Sequence, residues 1–348
     1  MNNDVLADIL LHLPVQSLLK FRAVCKFCVD VIDSSRFRKL HIHNNRSDET
    51  VCLEVILSND GIQVQHNTKS LISYNFKNLG LISDVRVSLY GLVKGLIILD
   101  LAKWNHLDRK PRAPIVICNP FLGQLKLLPL ITTSSCIIPL RSVAIGFIDE
   151  DYKVVQLSIC KMHYCLHAHV YSRSADSWRE LAFDNDIGYV TRVKSMCENG
   201  HFAHWISESM SSGEVAILSL DMKNEVFKKI MLPVDGLYYY LHSRIFEKDE
   251  HLFWRFDFPY TWQDKSSVHI YESRCEGSKL SWMYMLRVEL PYTSSTGIIP
   301  RWRTGFFVIE RERDAYVYDY RAHKFVSKLS NRSLTEYRGS FVSLEKEN

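Results

Sequence analysis

The sequence contains no stretch of about 18 consecutive apolar residues, so no part of it is expected to span a bilayer as a helix. Its start, Met1-Asn2-Asn3-Asp4, lacks the basic segment and uninterrupted apolar core of a secretory signal. The expected location is therefore the cytoplasm and/or nucleus. A disulfide framework is missing too: the nine cysteines are an odd number without regular spacing, and read as reduced thiols, mostly buried as small apolar side chains. The sequons at Asn45 and Asn331 would then carry no glycan.

There is no broad basic stripe. The formal charge is only +4 over 348 residues, with Lys and Arg interspersed among Asp and Glu, which argues against nucleic acid as the main partner. The one tight basic cluster, Arg109-Lys110-Pro111-Arg112, reads as a solvated loop. No phosphate-loop, Gly-x-Ser-x-Gly or His-Glu-x-x-His string occurs, which removes the usual support for nucleotide-hydrolysing, serine-hydrolase and zinc-protease chemistry. Low-complexity tracts are absent as well, and 47% apolar with 24% charged residues is ordinary globular usage, so the chain is expected to fold throughout.

What is present begins with helix periodicity. Val5, Leu6, Ile9, Leu10 and Leu13 recur at three-to-four spacing, with Asn3 or Asp4 as cap and Pro14 as terminator. Val15, Leu18, Leu19, Phe21 and Val24 form a second set, and Val29, Ile32, Phe37 and Leu40 a third, which predicts three small helices. A module of about 40 residues rarely closes its own core. Its excess Leu and Val must be covered by the rest of the chain or by another protein, and periodicity does not say which.

The string from Asp4 to Lys26, with Leu13-Pro-Val-Gln-Ser-Leu-Leu-Lys-Phe-Arg-Ala-Val-Cys-Lys26 at its centre and continuing to Phe37 and His41, closely resembles the F-box of plant F-box proteins. Two positions depart from that pattern: the family's opening Leu-Pro falls on Met1-Asn2, and Cys28 stands where a Trp is usual. The resemblance implies a surface for the Skp-type adaptor of a cullin-RING ubiquitin ligase. It carries over onto Val5, Ile9, Leu10, Leu13, Pro14, Val15, Leu18, Leu19, Phe21 and Val24.

After residue 50, short alternating runs rich in Val, Ile, Tyr and Phe replace the helical pattern, and these predict strands. A unit recurs at Ile117-Cys-Asn119 to Leu125, Val170-Tyr-Ser172 to Trp178, Leu218-Ser-Leu-Asp221 to Phe227, Ile270-Tyr-Glu272 to Trp282 and Val317-Tyr-Asp319 to Phe325. Its turn-opening residues are 53, 49, 51 and 47 positions apart, close to the period of about 50 that marks a kelch-like propeller blade. Each copy reads as two strands of a four-stranded blade, with the Trp or Phe anchoring it to its neighbour; roughly six blades are expected. Since Gly-Gly and Trp-Asp pairs are both absent, an array of β-sandwiches remains the alternative.

Gly91-Leu-Val-Lys-Gly-Leu-Ile-Ile98, Cys118-Asn-Pro120 with Leu128-Pro129, Gly146 to Val155, Ser177-Trp-Arg179 and Gly200-His-Phe-Ala-His-Trp205 resemble, in order, the plant F-box-associated domain. The likeness extends to the self-incompatibility-locus subgroup. The expected fold class is thus mainly β, a kelch-like propeller behind a small three-helix F-box. Residues 1–44 are assigned to the F-box, 45–84 to a linker and first strands, 85–335 to the propeller-like domain and 336–348 to a tail.

Cys160, Cys165, His167 and His169 have zinc-ligand chemistry without a standard zinc spacing, and Cys25-x-x-Cys28 has a redox spacing inside a helical module; both are read as structural. So are His201 and His204 beside Trp205. Neither a metal site nor a cofactor is expected. Tyr238, Tyr239, Tyr240, Trp254, Tyr260 and Trp262 are dense enough to form a rim for a target protein, with Tyr238, Tyr239, Tyr260 and Trp262 as its best candidates. The expected function is therefore a non-catalytic substrate receptor joining adaptor, cullin and RING protein to a target, with neither nucleic acid nor membrane as partner. The alternatives are a propeller scaffold whose F-box no longer binds the adaptor, and a metal-dependent propeller enzyme.

Overall fold

Among the described residues, four short helices precede 24 strands grouped into six four-stranded antiparallel sheets. The computed structural model describes residues 3–44, 51–58, 61–66, 69–75, 85–93, 95–103, 114–131, 141–148, 151–159, 165–183, 190–199, 202–209, 214–233, 243–248, 251–258, 267–276, 279–289, 298–301, 306–311, 314–319, 321–322, 324–329, 334–337 and 340–344.

The helices are α1 (Asn3–Leu11), α2 (Val15–Phe21), α3 (Lys26–Ile32) and α4 (Ser35–Asn44). The third apolar set thus makes two helices, correcting the expectation of three. The break is chemical: the Ser34 hydroxyl accepts from the Phe37 amide at 3.2 Å and donates to the Val31 carbonyl at 2.7 Å, ending α3 and capping α4.

The strands of blade 2 fall between 85 and 127, of blade 3 between 141 and 181, of blade 4 between 190 and 231, of blade 5 between 243 and 289, and of blade 6 between 298 and 329. Blade 1 combines three strands between 51 and 75 with Leu334–Tyr337, which pairs with Val51–Ser58 from Val51↔Tyr337 to Glu54↔Leu334. That pairing joins the two ends of the strand series without a covalent bond. First strands of blades 2 to 5 meet in succession, the geometry of a six-bladed propeller, which excludes the sandwich array.

The internal repeat has a physical basis. Third strands such as Ile115–Asn119 and Val215–Asp221 are buried nearly end to end, so they read as unbroken apolar runs, while the fourth strands that follow are half exposed. Between them the register pairs 119 with 124, 172 with 177, 221 with 226 and 319 with 324, a four-residue turn each time. In three of these the opening side chain accepts amides inside the turn: Asn119 from Leu122, Asp221 from Lys223 and Asn224, Asp319 from Arg321 and Ala322. Blade 5 departs from the reading. Glu272 pairs with Met283 in mid-strand, because both strands run on as far as Glu276 and Lys279.

In blades 3, 4 and 5 the aromatic of the fourth strand fastens the blade to the one before. Trp178 Nε1 donates to the Pro129 carbonyl at 2.7 Å, Trp282 Nε1 to the Met231 carbonyl at 2.8 Å, and Phe227 packs on Phe183 with centroids 4.5 Å apart. Charges repeat the theme. Asp176, in the left-handed turn position at φ 53°, pairs with Lys126 of the preceding blade at 2.8 Å. Glu225, at φ 59°, pairs with Lys153 at 2.8 Å and with Arg179. Burial would raise the Glu225 carboxyl, but hydrogen bonds from Arg179 and Lys153 outweigh it and hold it below the ordinary carboxylate value.

Residues 340–344, expected as tail, are interior. Phe341 joins the helical core of Leu10, Val15, Leu18, Cys28, Ile32 and Phe37, with Phe121 and Leu122 of the blade 2 turn against it. Val342 and Leu344 point the other way, into the cluster of Leu96, Ile98, Ile117, Val143 and Ile145, which also takes Ile42 from α4. The Asn119 amide donates to the carbonyls of Ser340 at 3.0 Å and Val342 at 2.9 Å, and the Leu344 amide donates to Gln124 at 2.9 Å. The segment is a strap between helices and propeller.

Gly95, between the first two strands of blade 2, lies under this strap with φ +75°, and a Cβ there would come within 2.6 Å of the Ser340 nitrogen. Gly95→Ala should cost at least about 1–2 kcal/mol from the left-handed φ alone, and should speed amide exchange in 340–344; unchanged exchange there would count against the strap. Acid gives a second test. The Glu225 pairs contribute fully above the ordinary carboxylate value and are lost as pH falls through the lowered one. Glu225→Gln should therefore lower the unfolding midpoint at neutral pH and flatten its decline toward acid relative to the unsubstituted chain.

Candidate functional site

The ten residues singled out on the N-terminal helices divide by burial. Leu10, Val15 and Leu18 are fully interior, committed to the core with Phe341, and present no surface to a partner. Leu13, Pro14 and Leu19 are half-buried. Val5 and Ile9 (49% exposed each), Phe21 (39%) and Val24 (68%) face solvent. The chain's own β domain therefore covers one side of the module and leaves the other uncovered. Val5 and Ile9 are one helical turn apart on α1, so they share a face.

Local chemistry fixes these positions. Pro14, at φ −65° and ψ 152°, takes the extended N-cap position of α2, so α1 and α2 meet at an angle. His41 of α4 is buried against that corner, its Nε2 2.9 Å from the Leu13 carbonyl; a carbonyl only accepts, so Nε2 carries the proton. Burial lowers the His41 pKa against the opposing pull of that carbonyl, which keeps the ring neutral. Phe341 meets its edge at a centroid distance of 5.2 Å. Asp33 then ties the end of α2 to α4 by accepting from Arg22 and Arg38, each at 2.8 Å. Such partly exposed pairs contribute about 0–1 kcal/mol each, so they orient the helices more than they stabilise them.

The target-binding candidates Tyr238, Tyr239, Tyr260 and Trp262 lie outside the described residues, as do Tyr240, Cys160, His201, both sequons and the 109–112 cluster. Trp254 is described and belongs to the interior, fully buried against Tyr271 at 5.3 Å and Trp282 at 6.5 Å. It is core and not rim. His204 and Trp205 are likewise buried, Trp205 among Leu218, Leu220 and Ala203.

Cys165 Sγ lies 3.3 Å from His167 Nε2, and His167 Nδ1 lies 3.3 Å from Glu180. His169 is buried beyond them, and burial holds its imidazole below the ordinary value. Among the described residues, no three His, Cys, Asp or Glu side chains gather as a metal-binding group. No described helix is long and apolar enough to cross a membrane.

Sequence reasoning missed three residues that position the helical surface: Gly95, Asn119 and Phe341. Gly95 and Asn119 stand inside strings that signalled the domain, but nothing in those strings says that a segment more than 200 positions later lies on them. Phe341 sits in Ser-Phe-Val-Ser-Leu, too short for a periodicity.

Comparison with known proteins agrees with this division. Residues 1–40 match the model of the F-box domain, and residues 46–334 match that of the F-box associated beta propeller domain. Two F-box proteins of Arabidopsis thaliana are similar, one 25% identical over 65% of this chain and 58% of its own length, the other 26% identical over 65% and 55%. The chain thus matches less than two thirds of the length of these relatives. With the propeller model spanning most of its residues behind a helical F-box, the chain belongs to the plant F-box proteins that carry an F-box-associated β-propeller domain.

Proposed function

We propose that this chain is the substrate-recognition subunit of a cullin-RING ubiquitin ligase, with its helices docked on a Skp-type adaptor and its propeller holding a target protein. One observation carries the reading: the helical module already has a complete inward core, supplied partly by Phe341 and Phe121, yet Val5, Ile9, Phe21 and Val24 remain exposed. Apolar side chains left uncovered on a folded module mark a surface for another protein. F-box membership supports a Skp-type adaptor as that partner.

In this reading no residue of the chain performs acyl transfer. The ligase works by effective concentration: adaptor and target are held on one body, so an acceptor lysine meets the charged ubiquitin carrier far more often than it would free in solution. A stiff connection between the two binding faces favours this, and the strap at 340–344 supplies one. The propeller scaffold without an adaptor is the rival. The Cys28 departure bears on it little, because Cys28 lies in the inward core and not on the exposed face.

Ile9→Ala with Val24→Ala removes exposed apolar contact without opening the core, so unfolding should be nearly unchanged while retention of the chain by a purified Skp-type adaptor falls at least about tenfold. Undiminished retention by the double variant would move the adaptor surface elsewhere. No retention of the folded unsubstituted chain would support the scaffold.

A further inference from the structure

Cys25 and Cys28 stand at the first turn of α3 in an arrangement that packing alone does not require. Cys25 is the N-cap, in extended conformation at φ −159° and ψ 161°, and its sulfur accepts the Cys28 amide at 3.5 Å. The two sulfurs are 3.4 Å apart. A disulfide needs about 2.05 Å, a closure of about 1.4 Å that rotation of an exposed side chain can supply.

The environments of the two thiols differ in the direction such chemistry needs. Cys25 is exposed, whereas Cys28 is buried among Leu10, Val15, Leu18 and Ile32. The Cys28 backbone amide, then the hydrogen bond between the two thiols, lowers the pKa of Cys25; that same thiol–thiol bond, then burial, raises that of Cys28. Among the other described thiols, Cys118 is buried and pushed up to about 12. Cys165 is partly exposed, its sulfur 3.3 Å from His167 Nε2.

We propose that Cys25 and Cys28 are a reversible oxidation site, closing to a disulfide when the chain meets a hydroperoxide. Cys25 thiolate attacks one peroxide oxygen, the O–O bond breaks, and the departing hydroxide takes up the proton that Cys25 released, leaving a sulfenic acid on Cys25. The Cys28 sulfur then attacks the Cys25 sulfur and displaces hydroxide, which leaves as water with the Cys28 proton. The two sulfurs together lose two electrons and hydrogen peroxide gains them, so the products are one disulfide and two waters. The closed form fixes the first turn of α3 beside Val24.

Trypsin cuts after Arg22, Lys26 and Arg36, so it separates the two cysteines into peptides 23–26 and 27–36. The intact chain, without any adaptor, is treated with hydrogen peroxide, alkylated with N-ethylmaleimide, digested and weighed. The expected product is peptide 23–26 joined to 27–36, two hydrogens lighter than their sum, lost on treatment with dithiothreitol. Cys25→Ser keeps an exposed cap and should leave Cys28 reduced at the same peroxide dose; Cys28→Ser should leave a sulfenic acid on Cys25 that dimedone traps. If the buried Cys28 variant fails to fold, the unsubstituted chain and Cys25→Ser decide alone. Both peptides recovered unlinked and alkylated, or Cys25 joined to other cysteines as readily as to Cys28, would overturn the proposal. Because no adaptor is present, neither result depends on the ligase reading.

Discussion

The Asn119 side-chain amide donates to two buried carbonyls of the 340–344 segment, those of Ser340 and Val342, and the relation between the helices and the propeller rests on that contact. Those carbonyls lie in a buried place, where an unmade hydrogen bond costs about 1–3 kcal/mol. With them held, neighbouring side chains of the segment enter different clusters. Phe341 enters the helical core while Val342 and Leu344 enter the propeller core. Five residues thus serve two hydrophobic clusters, and neither cluster is complete without them.

The same economy runs around the ring. Blades 3 and 4 reach back to their predecessors through a fourth-strand aromatic and a turn carboxylate, and blade 5 through its fourth-strand tryptophan. Trp178 on Pro129 and Trp282 on Met231 are the same contact in two blade pairs. The left-handed residues Asp176 and Glu225 place a carboxylate where a cation of the preceding blade meets it. Non-glycine residues are uncommon in that conformation, and here the charge pairing accompanies it.

Much of this was legible in the sequence, and the reasons are local. The turn-opening Asn119, Asp221 and Asp319 could be seen because side chains that accept amides within a turn must occur at fixed positions. Pro14 and the apolar spacing announced α1 and α2 for the same reason. Glu272 misled because it copies the pattern of its equivalents while its strands run four residues further, which only pairing reveals. The division of the F-box residues was not legible at all: Leu10 and Ile9 are equally apolar neighbours, and what separates them is which of the two faces a core that a phenylalanine more than 300 positions away helps to fill. Trp254 illustrates the same limit, since aromatic density does not distinguish a rim from a core. The closeness of Cys25 and Cys28 was visible as a spacing, but the exposure of one and the burial of the other were not.

Ring closure by Leu334–Tyr337 and the strap at 340–344 also set a timetable during synthesis. The helices leave the ribosome before the propeller, and the residue that completes their core follows about 300 positions later. At roughly 5–20 residues per second this is a delay of about 15–60 s. Through that interval Leu10, Val15 and Leu18 lack their final cover, and blade 1 lacks one strand. The nascent helices therefore carry a greasy surface that needs shielding, and their maturation waits on a segment made about 300 residues later.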